Sequence, residues 1–445
     1  MSVELAAARG TAASVERRNY RLGVLNGIFY QAGDGFVDAG TVIPVFLARL
    51  TSSNALIGFA TAMSDFGWLL PQVFVAPWVA RFPRQVPVYL RAATFRALGL
   101  ALVAILAWPL SDHPGALLAA FFLGYGAYSL FSGVGAVAFM EVVGRTVPHD
   151  RLPGFWAERL FWGGIGAAIV SLLVRQALVL PDHGIAYALL FAGAAFLTGT
   201  GFWLFTGIEE PAHTPPAHPT SSRELLRQGV QLFRHDPPFR HLLLARAVLN
   251  VWFAASPFLV LFVVRDLGGG ARSVGTFLLA RTAGFIVSNL AWRPIAARHG
   301  TRALMQIGSS GTVALALIAA AVGIASPWKL GWIGTTAAIV LLEIVAFGGG
   351  IVQSALNVGY GSLMIELAPA GSRQSFVSLL NTFLGPTMLL PALGGAVVDA
   401  ASAPVLFAAC GVVALIGARS AWRLPRRRHV EPAPEIEALQ PEQPS

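Results

Sequence analysis

The sequence predicts an all-α membrane protein in which twelve transmembrane helices form two pseudo-symmetric six-helix bundles. Three observations lead to this fold class. Hydrophobic residues make up 55% of the 445-residue chain and charged residues only 12%, whereas charged residues make up about 25% of a soluble domain. Twelve apolar segments each have the roughly 20 residues that a helix needs to cross a bilayer. The second and eighth of these segments also resemble each other in one constant register.

The apolar segments follow one another with short polar connections. They cover residues 22–50, 54–80, 86–109, 114–143, 152–179, 185–207, 241–264, 273–297, 302–326, 331–361, 374–398 and 403–422. A long polar break over residues 209–240 divides them into two sets of six. We therefore predict an N-terminal tail (1–20), a first bundle (21–208), a linker (209–240), a second bundle (241–422) and a C-terminal tail (423–445).

Arginines predict the topology, because they lie at alternate ends of the apolar segments. Arg17 and Arg18 precede the first segment, Arg145 and Arg151 lie between the fourth and the fifth, and Arg423 follows the last. The loops on the opposite side carry few basic residues. By the positive-inside rule, both termini and the linker are cytoplasmic. We predict a multi-pass protein of a bacterial inner membrane, in contact with membrane lipids.

The net charge of +9 raises a nucleic-acid partner as an alternative. The arginines, however, are spread between apolar segments, where they act as topology signals. We therefore expect no nucleic-acid partner, and we expect a monomer.

The linker predicts a short amphipathic helix. Its second part reads SSRELLRQGVQLFRHDPP, in which Ser221 and Glu224 have the spacing of a capping box. Leu225, Leu226, Val230 and Phe233 form an apolar stripe on one face. A basic helix with such a stripe is typical of a membrane surface.

The first apolar segment carries two acidic residues. It reads LGVLNGIFYQAGDGFVDAGTVIPVFLARL, and as one helix it places Asp34 near mid-membrane with Asp38 one turn further along the same face. Asp65 in the second segment lies at a depth similar to that of Asp38. An intramembrane carboxylate costs several kcal/mol, so it faces a protein interior or a watery cavity. A low dielectric also favours its neutral form. Asp34, Asp38 and Asp65 are therefore the candidates for proton coupling, whereas the alternative for Asp34 is a structural hydrogen bond to a neighbouring helix.

Further polar and aromatic residues within the segments are candidates for lining a substrate cavity. They are Tyr30, Arg159, Arg246, Asn250, Trp252, Arg281, Glu343, Asn357 and Asn381. Some have a structural alternative: Arg159 could pair near the cytoplasmic end, and Arg246 lies close enough to the interface to reach it by extending its side chain.

The second and eighth segments match at a constant offset, which indicates a duplication. With Ile57 aligned on Val274, Gly58 falls on Gly275, Gly67 on Gly284, Pro77 on Pro294 and Arg81 on Arg298. Two homologous halves follow from this register.

Two six-helix halves joined by a central cytoplasmic linker resemble the major facilitator superfamily. The family's signature after the second helix is a Gly, an Asp and then basic residues around a turn glycine. The stretch APWVARFPRQ has Arg81 and Arg84 at the basic positions, and RPIAARHGTR in the second half has Arg298 and Arg302. Both stretches lack the Asp. The resemblance implies alternating access, in which the halves rock about a central site, and it makes these four arginines candidates for the cytoplasmic gate.

The sequence shows no nucleotide-binding or hydrolase motif and no cysteine or histidine pattern for a metal. We therefore expect a protein that is not an enzyme and has no cofactor, and that uses an ion or substrate gradient. The function that we expect is secondary active transport of a small molecule, coupled to protons, with export favoured by the resemblance. The alternatives are a non-transporting membrane scaffold or assembly factor on the same fold, and a lipid or amphiphile flippase. Carboxylates mixed with arginines fit cationic, anionic and zwitterionic substrates equally.

Overall fold

The structure, a computed structural model, describes residues 2–148, 151–212, 221–270, 272–367 and 373–424. These residues form helices and connecting loops, with no β-strand among them. The first half contains α1 (Ser2–Phe36), α2 (Val42–Leu47), α3 (Asn54–Val79), α4 (Val86–Ala107), α5 (Pro114–Thr146), α6 (Leu152–Ala177) and α7 (His183–Thr206). The linker contains α8 (Ser222–His235). The second half contains α9 (Pro237–Leu249), α10 (Val251–Leu261), a π-helical segment (Phe262–Asp266), α11 (Arg272–His299), α12 (Arg302–Ala325), α13 (Thr335–Leu367), α14 (Arg373–Leu384), a 3₁₀ segment (Gly385–Leu389), α15 (Leu390–Ala400) and α16 (Ala403–Trp422).

The predicted fold class is confirmed. Within the described ranges, 10 helices are long and apolar enough to cross a membrane, and they coincide with ten of the twelve predicted segments. The remaining two segments correspond to α1 with α2 and to α3, which connect to the other helices in the predicted order. In lipid, a helix satisfies its backbone hydrogen bonds internally, which is why apolar segments of this length adopt it.

The first segment differs from the single helix that we predicted. α1 ends at Phe36, and a turn separates it from α2. In that turn, Asp38 Oδ1 accepts hydrogen bonds from the Gly40 backbone N–H at 3.0 Å and from Thr41 Oγ1 at 2.9 Å. Asp side chains that bond to nearby backbone groups compete with the helix. Asp38 is therefore not one turn further along the same helix face as Asp34. At its other end, α1 begins at Ser2, inside the predicted tail.

The seventh and eleventh segments are also interrupted, and the two interruptions face each other. α9 gives way to α10 at Asn250, while the 3₁₀ segment with Pro386 separates α14 from α15. The Asn250 side-chain amide donates to Thr387 Oγ1 at 2.8 Å. Proline removes a backbone donor, which explains the break near Pro386. α3 and α10, in contrast, continue through Pro71 and Pro257.

Glycines in the predicted repeat register occupy equivalent packing positions. A Cβ on Gly67 of α3 would meet Ser129 of α5, and one on Gly284 of α11 would meet Phe347 of α13. Helix α3 is the second span and α5 the fourth, while α11 and α13 are the eighth and the tenth. The same pairing of spans thus recurs in both halves, as a duplication requires.

The other glycine pair lies where the two halves meet. A Cβ on Gly58 would meet Pro391 at the start of α15, and one on Gly275 would meet Arg175 of α6. These contacts allow α3 to approach α15 and α11 to approach α6 closely. The same position of the repeat therefore provides a close contact between the halves twice, once from Gly58 and once from Gly275.

Hydrogen bonds between the halves concentrate at one end of the molecule. We call this the far end; it carries the loop between α2 and α3 and the start of α11. Arg265 donates to the carbonyl oxygens of Ala48 and Thr51 at 2.8 and 3.0 Å. Asp399 at the end of α15 accepts from the Asn54 backbone and side-chain nitrogens at 3.0 and 2.8 Å. Asp399 thus caps the N-terminus of α3 from the opposite half.

We call the opposite end of the molecule the tail end. Here the segment that follows α7 is bonded to other helices of the first half. Glu210 accepts from the backbone N–H groups of Gln85 and Val86 at 2.6 and 3.0 Å, which caps α4, and it pairs with Arg145 at 2.9 Å. The linker helix α8 also lies here, with Ser221 Oγ accepting from the Glu224 N–H at 3.2 Å.

Part of the apolar face of α8 packs on the protein, whereas Val230 of the predicted stripe is exposed. The membrane-surface position of this helix stays a prediction. A Cβ on Gly229 would meet Phe383 and Leu379 of α14. Leu232 and Phe233 pack against the hydrophobic cluster that contains Leu379. The helix thereby buries part of its apolar area against α14.

Candidate functional site

Asp34 lies in the last turn of α1 and is half-buried. Tyr128 of α5, a buried residue, donates its hydroxyl to Asp34 Oδ1 at 3.1 Å. The carboxylate is thus held inside the first half by one neutral donor. Such a contact is compatible with a protonated or an ionised carboxylate, because a hydroxyl can donate or accept.

Arg96 of α4 completes this cluster, and the sequence analysis missed it. Its side chain is 6% exposed, and its guanidinium lies over the rings of Tyr128 and Phe202 at 4.7 and 4.6 Å and of Tyr30 at 5.3 Å. Its Nε has no hydrogen-bond partner among the described residues. A cation over desolvated rings gains about 2 kcal/mol. The available signal was an arginine at the middle of an apolar span, which is a functional position by default.

Asp38 joins the two halves. Its carboxylate forms an ion pair with Arg281 of α11, and both side chains are largely enclosed. A Cβ on Gly40 would meet the Arg281 guanidinium, so the glycine provides the room for this contact. A desolvated ion pair of this kind is costly to break by removing one partner, about 3–5 kcal/mol.

Asp65 of α3 faces the second half from the first. Its side chain is exposed, and the charged groups that act on it are Arg246, Arg281 and Asp38. Two of these belong to the opposite half. Asp65 therefore lies on the wall of the space between the halves.

A cavity of about 30 Å³ lies on the opposite wall. Its lining residues come from α9, α10, α11 and α13: Arg246, Leu249, Trp252, Phe253, Ser256, Arg281, Val352, Gln353 and Leu356. Three of the predicted cavity residues, Arg246, Trp252 and Arg281, are thus brought together. A volume of this size holds about one water molecule, so the cavity is narrow in this conformation.

Arg246 is the central cation of this wall. Its Nη2 donates to Asn357 Oδ1 at 3.0 Å, and its guanidinium lies 5.4 Å from the centre of the Tyr360 ring. Asn357 is therefore placed next to the cavity by this hydrogen bond. Asn250 lies one turn beyond Arg246, where it contacts Thr387.

The remaining cavity candidates are placed elsewhere. Arg159 donates to the Gly23 carbonyl at 2.6 Å and to Asn26 Oδ1 at 2.8 Å, inside the first half. Glu343 accepts from Thr276 Oγ1 at 2.6 Å, which joins α13 to α11. Asn381 of α14 is half-buried. Tyr30 belongs to the Arg96 cluster.

The four motif arginines lie at the tail end. Arg81, Arg84 and Arg298 are exposed, and Arg298 lies in the last turn of α11, where a cation favours the helix dipole. Arg302 donates to the Trp422 carbonyl and thereby joins the start of α12 to the end of α16.

Comparison with solved structures gives the same fold throughout. The chain superposes on a POT family transporter in complex with 5-aminolevulinic acid with a TM-score of 0.69 at 12% identity, over 89% of this chain and 94% of that chain. It superposes on the nucleoside transporter NupG with a TM-score of 0.66 at 14% identity, over 92% and 99% of the two chains. For a bacterial homologue of the iron transporter ferroportin in the inward-facing state, the TM-score is 0.67 at 14% identity, over 92% and 98%. Identities this low establish the fold alone.

At the level of sequence, no curated protein matches the chain. The family model of the Major Facilitator Superfamily, in contrast, matches residues 24–385 and 247–444. These matches extend over both halves and the linker, and they agree with the duplicated helical architecture. The chain therefore belongs to the Major Facilitator Superfamily, and it is a multi-pass membrane transporter.

Proposed function

We propose that this protein is a proton-coupled secondary active transporter that moves a small molecule by alternating access. The observation that carries the proposal is the position of Asp34. It lies inside the first half, bonded to Tyr128 and close to the Arg96 cluster, and only a turn of chain separates it from Asp38, which pairs with the other half. A proton-binding group is thus close to a contact that must change when the halves rock.

The coupling follows from the cost of enclosing charge. A protonated carboxyl can be enclosed at lower cost than an ionised one, because the interior solvates charge poorly. Proton binding therefore favours a conformation in which Asp34 is shut off from water, and proton release favours one in which water reaches it. A ligand that discriminates between two conformations shifts their populations, and here the proton is one such ligand.

We further propose that the conformation is inward-facing, with the tail end and the linker in the cytoplasm. The hydrogen bonds of Arg265 and Asp399 close the far end. The comparison supports the same conformation, because the ferroportin homologue gives a TM-score of 0.67 in its inward-facing state and 0.54 in its outward-facing state.

The test is proton movement in liposomes that contain the purified full-length chain and a trapped pH indicator. We expect some compounds in a metabolite and drug library to drive proton flux. Asp34→Asn, which preserves shape and removes the charge, should abolish the flux while substrate exchange survives. Asp112→Asn in the loop after α4 is the matched control and should behave as the parent.

Two results would contradict the proposal. If Asp34→Asn transports with the parent's pH dependence, Asp34 is not the coupling group. If compounds exchange across the membrane with the parent protein but none of them drives proton flux, transport is not coupled to protons.

A further inference from the structure

Arg246 forms no ion pair with an acidic residue in the part of the chain that the structure describes. Its side chain is 8% exposed and lines the cavity in the wall of the second half. Its hydrogen-bond partner is the neutral amide oxygen of Asn357, and none of the ion pairs in the described ranges involves it. An enclosed guanidinium with free N–H groups is expensive unless something pairs with it.

The surroundings of Arg246 contain further unused donors. The Tyr360 hydroxyl is buried, in a residue 7% exposed, and has no hydrogen-bond partner in the described structure. The Gln353 and Ser256 side chains line the same cavity. A buried polar group without a partner costs about 1–3 kcal/mol. Free donors around a free cation favour a ligand that brings acceptor atoms and negative charge.

The rest of the cavity wall is apolar. Trp252 and Phe253 line it beside Arg246, together with Leu249 and Leu356. Binding sites for small molecules typically combine such an apolar lining with a few polar groups that fix orientation. The ligand therefore needs an apolar body next to its anionic group.

Two other ionised groups, Arg281 and Asp65, act near the cavity. Arg281 pairs with Asp38 across the halves, whereas Asp65 acts on Arg246 only through space, since no ion pair joins them in the described residues. The guanidinium of Arg246 is thus the group that remains free to form a bidentate contact with a carboxylate.

The tail end carries positive charge, like the Arg246 side chain. A pocket of about 630 Å³ between α1 and α6 is lined by Arg17, Arg21 and Arg151, with Glu158 as its acidic residue. An excess of positive charge at this end of the molecule raises the local concentration of anions there.

We propose that the substrate is an organic anion with an apolar body, whose carboxylate or equivalent acidic group binds Arg246 while its body lies against Trp252 and Phe253. This inference rests on the proposed transport function and adds the chemical class of the substrate.

The test uses compounds that share one skeleton and differ in charge: phenylacetate, phenethylamine and phenethyl alcohol, and the corresponding naphthyl trio. Thermal stabilisation of the purified full-length chain is measured with each compound at fixed pH and ionic strength. We expect the two acids to stabilise the parent protein and the amines and alcohols to have little effect. Arg246→Gln should weaken binding of the acids at least tenfold, and Arg246→Lys should weaken it less. Arg91→Gln, at an exposed arginine of α4, is the matched control and should bind as the parent.

Stabilisation by the amines or the alcohols in preference to the acids would overturn the inference. Acid binding that survives Arg246→Gln, in a variant that melts as the parent does without ligand, would overturn it as well, and so would the absence of stabilisation by any of the six compounds. The proton-flux assay separates the two proposals: Asp34-dependent flux driven by cations or neutral compounds leaves transport in place and removes only the anion class.

Discussion

At the scale of single residues, the first half contains a buried group of opposite charges that are not directly paired. Tyr128 contacts Asp34 through its hydroxyl, at 3.1 Å, and Arg96 through its ring face, at 4.7 Å. One tyrosine thus contacts both an acid and a base inside the membrane. A change in the charge of Asp34 therefore acts directly on the hydrogen bond that Tyr128 makes with it.

Removing the Tyr128 hydroxyl should impair coupling. A hydrogen bond to a charged group contributes about 1.5–3 kcal/mol, so Tyr128→Phe should lower substrate-driven proton flux by roughly tenfold or more. Tyr125→Phe is the matched control, because it removes the hydroxyl of another buried tyrosine, one turn away on the same helix and outside the Asp34 contact. Equal flux in the two variants would show that the hydroxyl is not part of the coupling site.

The ion pair between Asp38 and Arg281 should behave as one unit. Asp38→Asn or Arg281→Gln alone leaves an enclosed charge without a partner and should destabilise the protein by about 3–5 kcal/mol. The double variant should recover much of that loss, because both charges are gone. Melting temperatures of the four proteins measure the interaction as a double-mutant cycle. Additive losses would mean that the two side chains do not pair in the membrane.

At the scale of helices, two glycines control how closely the halves approach. Gly58 and Gly275 have the same position in the repeat, and each packs against a helix of the opposite half. A larger side chain at either position must separate the helices, since the atoms that it meets include backbone and cannot rotate away. The conformation of the structure, in which these contacts are made, should therefore become less favourable.

Gly58→Leu and Gly275→Leu should open the far end. The measurement is labelling by a membrane-impermeant thiol reagent at Ser256→Cys in the cavity, after Cys410 has been replaced. Labelling from the outside of intact cells should increase in both variants. Gly361→Leu, at a helical glycine with nothing within 4 Å of its Cβ position, should leave the labelling at the parent's level. An increase in the control as large as in the two variants would refute the steric explanation.

At the scale of the whole molecule, replacing Asp65 should strengthen the binding of an anionic ligand. Asp65 faces Arg246 across the space between the halves, and its charge opposes the approach of an anion. Asp65 is exposed, so solvent screens part of this repulsion. Asp65→Asn should therefore tighten phenylacetate binding by a few-fold, as measured by titration of the melting temperature. Weaker binding in this variant would indicate that Asp65 contacts the ligand directly.

The orientation in the membrane can be tested with two single cysteines on a background without Cys410. Ser111→Cys lies in an exposed loop of the far end, and Gln231→Cys lies on the exposed face of α8. The arginine distribution predicts that an impermeant reagent added to intact cells labels the first and not the second. Labelling of the α8 position from outside would invert the topology and make the conformation outward-facing.

The sequence by itself determined the spans, the duplication and the fold class of this protein. Helices in lipid form wherever the chain is apolar for long enough, so hydropathy over about 20 consecutive residues is sufficient to find them. It also singled out Asp34, because a charge inside such a span is visible without a structure.

Only the tertiary structure decided which charges meet. Asp38 and Arg281 are separated by 243 residues, and the break after Phe36 that positions Asp38 depends on side-chain contacts within a turn. The apolar face of α8 was visible in the sequence, but its partner α14 was not. Partners of this kind are chosen by how helices distant in the chain pack, and local hydropathy contains no information about that packing.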